Sequence, residues 1–166
     1  VARALGHSDR WDEGARPRAA FDRYVALRRG ATHRMVAPGD VVPIDGLDVH
    51  IIAADGAVLT TALPGAGQPN AHCEDFPFHG ADILSRYGDA EDQRSVSAVI
   101  GFGQFRTVIM GDLTWNKEHP LMCPTNNVGT VDLYLVSHHG SDTSGSDALV
   151  QALEPRVAVM NNGPGK

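Results

Sequence analysis

The chain is poor in positive charge, in cysteine and in long apolar runs. Lysine and arginine total 14 against 20 aspartates and glutamates, a formal net charge of −6 at pH 7. That balance leaves no electrostatic footprint for a phosphate backbone and argues against nucleic-acid binding by this segment, although a bound metal would restore local positive charge. No apolar stretch approaches the roughly 20 residues that a bilayer-spanning helix needs. No signal peptide is legible, and the chain opens on Val1 rather than Met. There are two cysteines, Cys73 and Cys123. Paired, they imply an oxidising setting, periplasmic or secreted, and a contribution of roughly 2–4 kcal/mol; as separate, partly buried thiols they leave a cytoplasmic setting open.

What is present is globular material. The 166 residues are 42% apolar and 20% charged, enough for one domain with a sizeable core. Residues 1–18 are polar, broken by Gly6, Gly14 and Pro17, and read as an irregular lead-in whose His7 is a solvated loop histidine. Residues 19–29 read as a helix, because Phe21, Tyr24, Val25 and Arg28 recur at helical spacing and Gly30 supplies a stop. From Met35 the period becomes strand-like. Residues 41–44, 47–53 and 57–63 flank Asp45-Gly46 and Asp55-Gly56, and so predict a meander of three short antiparallel strands. Pro43 marks the first as an edge. Residues 64–95 form a long loop rich in proline and glycine, with room for one short helix at Ile83, Leu84 and Tyr87. His72 and His79 on this loop read as ordinary surface histidines. A strand at 96–101 then turns through Phe102-Gly103-Gln104 into the next.

The last third carries the chemistry. Three apolar runs each stop at a polar, metal-capable group. Thr107-Val108-Ile109-Met110-Gly111 ends at Asp112. Val131-Asp132-Leu133-Tyr134-Leu135-Val136 ends at Ser137-His138-His139-Gly140-Ser141. Arg156-Val157-Ala158-Val159-Met160 ends at Asn161-Asn162. The segments between them, 113–130 and 142–155, are long enough to cross over a sheet, and Ala148, Leu149, Ala152 and Leu153 make the second helical until Pro155. Strand–crossover–strand units are parallel and right-handed, so the three strand ends share one edge. Asp112, His138, His139 and Asn161 are therefore expected to converge there, where open α/β sheets place their sites. A carboxylate with one or two imidazoles is a partial ligand set for a borderline divalent metal. Trp115 and Leu121 are expected against the sheet, and Lys117 and His119 near the same edge on the surface.

Gly111-Asp112 after one strand, and Val136-Ser137-His138-His139-Gly140-Ser141 after another, resemble the later half of a metallo-β-lactamase-fold hydrolase. The resemblance extends over 96–163 and is closest to the branch containing the hydrolase-like domain of bacterial DNA-uptake (competence) channel proteins. It implies an α/β fold, an αββα sandwich of which this chain supplies one sheet and part of the other. It also implies a metal-dependent hydrolase, with one or two zinc ions and a metal-activated water. Asp112 would be a ligand, bridging if two ions bind. One of His138 and His139 would ligate, His138 being favoured because it directly ends the strand, while the other orients, donates to substrate or packs. Gly140 would let the backbone approach the metal, with Ser141 and Asp142 behind it. In that branch an Asn-x-x-Ser pattern precedes the strand at 96; here Asp92 stands at the Asn place and Ser95 keeps the Ser. A carboxylate there would hold water or orient a ligand histidine, unless it is simply a solvated turn residue.

The family's His-x-His-x-Asp-His cluster is absent. The eight histidines stand at 7, 33, 50, 72, 79, 119, 138 and 139, and no two are separated by a single residue. The expectation is a piece that begins after that cluster, its partner being the missing N-terminal half of the same fold. Asp112 and one histidine give only two ligands, so the isolated chain is expected to bind metal weakly, to turn over no substrate and to expose an apolar sheet face. β-Lactam, phosphodiester, ester and thioester substrates all remain open, because a shared scaffold does not set the substrate. Two other classes stand beside this one. The first is a degenerate, non-catalytic member of the fold that binds a partner through the same edge. The second is an unrelated α/β module whose histidines only pack, which requires both rings to be buried and remote from Asp112.

Overall fold

The computed structural model describes residues 3–6, 18–75 and 91–163. In chain order the elements are β1 (Arg3–Gly6), α1 (Arg18–Arg28), β2 (Thr32–Met35), β3 (Val41–Ile44), β4 (Leu47–Ala54), β5 (Ala57–Val58), β6 (Gln68–Pro69), β7 (Ser97–Phe102), β8 (Phe105–Ile109), α2 (Trp115–Met122), β9 (Thr125–Asn126), β10 (Leu133–Leu135), α3 (Asp147–Leu153) and β11 (Val157–Val159). Seven strands make one mixed sheet in the order β11-β10-β8-β7-β4-β3, with β5 beside β4.

The parallel trio expected from the apolar runs is present. β10 lies parallel to both β8 and β11, with Tyr134 opposite Val108 on one side and Ala158 on the other. Antiparallel hairpins build the other half. At the second of these, Asp55 (φ 50) and Gly56 (φ 81) both take left-handed backbone, as a two-residue type I′ turn requires. β3 is the outermost strand, which suits Pro43, a residue with no N–H to give to a further neighbour. β5 is shorter than the predicted 57–63. Beyond it the Leu59 N–H still bonds to the Ile52 carbonyl of β4 at 2.8 Å, whereas the Leu63 N–H bonds to the Asn127 carbonyl; both side chains are buried in the core with Leu121 and Val128.

α2 and α3 cover one face of the sheet. Leu113, Leu121, Met122, Leu149 and Leu153 are fully buried there against Val99, Val108 and Tyr134. Full burial of each such side chain is worth about 1.5–3 kcal/mol. α3 starts at Ser146, whose hydroxyl accepts the Leu149 N–H at 3.3 Å, and stops at Glu154 in left-handed backbone ahead of Pro155. Cys73 and Cys123 form a disulfide, with Cα atoms 5.7 Å apart, that ties the start of the long loop to the end of α2. Beside it Asn70 donates to the carbonyls of Met122 (3.1 Å) and Ala148 (2.9 Å), so this part of the loop is anchored to both helices.

The opposite face is covered only in part. Val36, Val42, Val49, Ile51 and Ala54 form a second cluster over β3, β4 and β7. Across β8 and β11 the same face stays open, with Ile109, Val157 and Val159 exposed by 38%, 55% and 39%. A second large sheet does not occur among the described residues, where β1–β2 and β6–β9 are separate two-stranded ribbons. The architecture is mixed α/β around one mixed sheet. The lead-in needs a correction: Arg3–Gly6 is a strand paired in parallel with Thr32–Met35, and backbone pairing of this kind leaves no mark in composition. On α1 no residue is buried, and Phe21, Val25 and Arg28 form only a half-buried stripe. His7, His79 and the short helix at Ile83, Leu84 and Tyr87 lie outside the described residues. No helix among the described residues is long and apolar enough to cross a membrane.

Candidate metal centre

Three strand exits are stitched together at the sheet's C-terminal edge. Gly111 ends β8 with φ 59, and a Cβ there would sit 3.1 Å from the Ser95 hydroxyl. That close approach lets Ser95 Oγ accept the Asp112 N–H at 3.1 Å. Ser97 Oγ donates to the Met110 carbonyl at 2.9 Å, and the His138 N–H donates to the Gly111 carbonyl at 2.9 Å. The β10 exit is thus pinned to the β8 exit. On its other side the Val136 N–H bonds to the Val159 carbonyl.

The turn after β10 is strained. His138 (φ 49, ψ 38) and His139 (φ 54, ψ 24) are both left-handed, and Gly140 follows at φ 79. A non-glycine residue in that region costs about 1–2 kcal/mol. Such a cost persists where surrounding bonds over-determine the backbone, and it clusters at functional sites. Here the buried Tyr134 hydroxyl accepts the Ser137 N–H at 3.0 Å and shares a 2.7 Å hydrogen bond with Ser137 Oγ. Gly140 lies against the β11 exit. A Cβ there would meet the Met160 side chain at 2.8–2.9 Å, so the glycine makes room for the β11 exit.

The result is a compact group. One ligand atom each from Asp92, Asp112 and His138 lie within 4.8 Å of one another, all three residues being half-buried. His138 Nε2 is 3.8 Å from Asp92 Oδ2. Two zinc bonds of about 2.1 Å span at most about 4.2 Å, so that pair already lies within coordinating reach. Two carboxylates and an imidazole are hard-to-borderline donors, suited to zinc or manganese. The other imidazole nitrogen, His138 Nδ1, lies 3.2 Å from both Ser144 Oγ and Thr143 Oγ1. Ser141 Oγ bonds to Thr143 Oγ1 at 3.0 Å, and Asp142 is exposed.

His139 lies on the far side of Asp112. Its Nε2 is 3.9 Å from Asp112 Oδ1, and the side chain is half open to solvent. His139 Nδ1 faces the Asn161 carbonyl at 2.8 Å. A carbonyl only accepts, so Nδ1 carries a proton, and in the neutral ring Nε2 is then the bare nitrogen. Asn161 acts here through its backbone.

Asp92 is the residue that sequence reasoning undervalued. The expectation there is an orienter or a solvated turn residue; its carboxylate lies in the group with Asp112 and His138, on a short turn held by three neighbours. The Ser95 N–H bonds to the Asp92 carbonyl (3.1 Å), Gln93 accepts from Asn116 (2.9 Å) and Arg94 pairs with Asp55 (2.7 Å). Its place five residues before β7, the apolar strand that abuts β8, is the available signal. His72 lines a cleft with Thr130 and Gln151 and takes no part in the group. Lys117 bonds to the Gly56 carbonyl at 2.6 Å, and His119 is exposed.

Glu118 was missed altogether. It is fully buried, and its two oxygens accept the N–H groups of Gly145 (2.7 Å) and Ser146 (2.9 Å). Burial pushes its pKa up to about 7, against the lowering effect of those bonds. Glu118, Leu121 and Met122 stand at i, i+3 and i+4, which already placed the carboxylate on the buried stripe of α2. Neither a scan of protein-family models nor a search of the curated proteins finds a match to this chain.

Proposed function

We propose that this chain carries part of the site of a metal-dependent hydrolase. Asp92, Asp112 and His138 would hold one divalent cation, and the family resembled is the metallo-β-lactamase fold. The observation that supports the reading is the meeting of these three ligand atoms at the edge where three parallel strands end. A bound zinc-like cation would supply Lewis-acid polarisation and lower the pKa of water toward neutrality. The remaining steps belong to the chain's own residues. Thr143 and Ser144 hold Nδ1 of His138 so that Nε2 faces the carboxylates. His139, with its bare Nε2 beside Asp112, is placed to take a second ion or to exchange a proton with substrate. His138 and His139 are neither fully buried nor remote from Asp112, which removes the support for a module whose histidines only pack.

Three protein ligands are the number a catalytic zinc site uses, one more than sequence reasoning counted. One-to-one binding by this chain is therefore part of the proposal. Turnover of ester, thioester, phosphodiester or β-lactam bonds is assigned to a longer protein that adds the missing His-x-His-x-Asp-His cluster and a second sheet over Ile109, Val157 and Val159. The Cys73–Cys123 bond fits a periplasmic or secreted setting. Calorimetric titration with zinc, manganese and magnesium tests the reading. Saturable binding of one ion, lost in Asp112→Ala, supports it. Absence of binding by a folded chain refutes it.

A further inference from the structure

The buried carboxylate of Glu118 has no role in the ligand group itself, yet it lies at the junction of the two segments that carry the group. α2 begins three residues after Asp112, and Glu118 is on its inward face. The loop after His138 returns across α2. The Trp115 N–H bonds to the Thr143 carbonyl at 2.9 Å, and Glu118 takes both the Gly145 and Ser146 N–H groups. Between these anchors stand Thr143 and Ser144, whose hydroxyls are the neighbours of His138 Nδ1. One helix therefore fixes, from one side, the exit that carries Asp112 and, from the other, the loop that orients His138.

We infer that Glu118 is a positioning residue for metal binding: by clamping the 143–146 loop it holds the Thr143 and Ser144 hydroxyls against Nδ1 of His138, which fixes the ring with Nε2 toward the cation. This rests on the proposed metal site. The chemistry of the clamp explains why the residue is an acid. Two parallel N–H donors need two acceptor oxygens, and a carboxylate offers both. Glutamine offers one, and its amide would point N–H at N–H. A carboxylate this deeply buried is expensive for the fold. An apolar side chain and a water-exposed loop would be cheaper if stability were the only purpose. The arrangement matches the general behaviour of metal-ligating histidines, whose second nitrogen is held by a neighbour and whose affinity falls about 10–100-fold when that neighbour is lost.

The test uses nitrogen-15 NMR of the histidine rings in the metal-free chain, followed by zinc titration of the same samples. Wild type is expected to show His138 as a single tautomer, the ring being held in one orientation. Glu118→Gln is expected to show a mixture of tautomers and zinc affinity about 10–100-fold lower. A triple variant adding Thr143→Val and Ser144→Ala is expected to lose little more than Thr143→Val with Ser144→Ala alone, because all three act on one ring. Should Glu118→Gln fail to fold, Glu118→Asp, which keeps two oxygens one methylene short, is measured in its place. A folded Glu118 variant with the wild-type tautomer and wild-type affinity overturns the inference. Wild type that binds no zinc refutes the metal site instead, and the ring spectra still decide whether Glu118 sets the tautomer.

Discussion

Replacing Glu118 by glutamine should change how stability depends on pH. Burial raises the Glu118 pKa from 4.5 to about 7, the two backbone hydrogen bonds offsetting only part of the penalty on the charged form. A glutamate whose folded pKa lies above its unfolded value favours the fold while protonated. Its contribution is complete below about 4.5, is lost as pH rises to about 7, and is constant above that. At about 1.4 kcal/mol per pKa unit the loss is about 3 kcal/mol. With a urea m-value of about 2 kcal/mol/M, that is a midpoint shift of about 1.5 M. Other groups titrate over the same range, so the quantity to measure is the difference between wild type and Glu118→Gln from pH 4.5 to 8, in which their contributions cancel. Glutamine resembles the protonated acid and carries no such slope. Wild type should therefore lose about 3 kcal/mol relative to the variant across this window. A difference that stays flat, or that rises with pH, would refute the view that Glu118 is a costly buried carboxylate.

Three further outcomes are expected. Reducing the Cys73–Cys123 bond, which closes a loop of 50 residues' separation, should lower stability by about 4 kcal/mol on chain-entropy grounds and Tm by roughly 8–16 °C in a scanning-calorimetry comparison; an unchanged Tm would show the loop to be held by its hydrogen bonds, from Asn70 and the β6–β9 ribbon, without the disulfide. Gly111→Ala forces a side chain onto left-handed backbone and against Ser95, so it should cost about 1–2 kcal/mol in urea unfolding and weaken zinc binding; an unaffected variant would contradict the Ser95–Asp112 stitch. Val157→Lys with Val159→Lys should reduce self-association and hydrophobic-dye binding with Tm nearly unchanged, because those side chains stand exposed on the uncovered sheet face; unchanged association would place the sticky surface elsewhere.

The sheet was legible because its signals are local and periodic. Asp45-Gly46 and Asp55-Gly56 announce hairpins, Pro43 announces an edge, and the apolar runs before Asp112, His138 and Asn161 announce parallel strands whose ends meet. Where the reading fell short, the deciding physics was non-local. Leu63 looks like a strand residue, but its N–H bonds to the Asn127 carbonyl, 64 residues away, rather than to β4. Arg3–Gly6 gains its strand from a partner almost 30 residues away in sequence, at Thr32–Met35. For the site, Asp112 and His138 stood out because each follows an apolar run. Asp92 follows none, and its membership depends on β7 lying beside β8. The pairing of Cys73 with Cys123, left open by composition, follows from the loop's packing on the end of α2.

The most direct test of the metal centre is zinc titration of the metal-free chain by calorimetry, with Asp92→Asn, Asp112→Ala and His138→Ala measured alongside. One ion per chain, with affinity reduced in every one of the three variants and Tm raised by zinc in wild type alone, is the expected result. Zinc that fails to bind, or that binds equally well to all three variants, would mean that these side chains meet at the sheet edge without holding a cation.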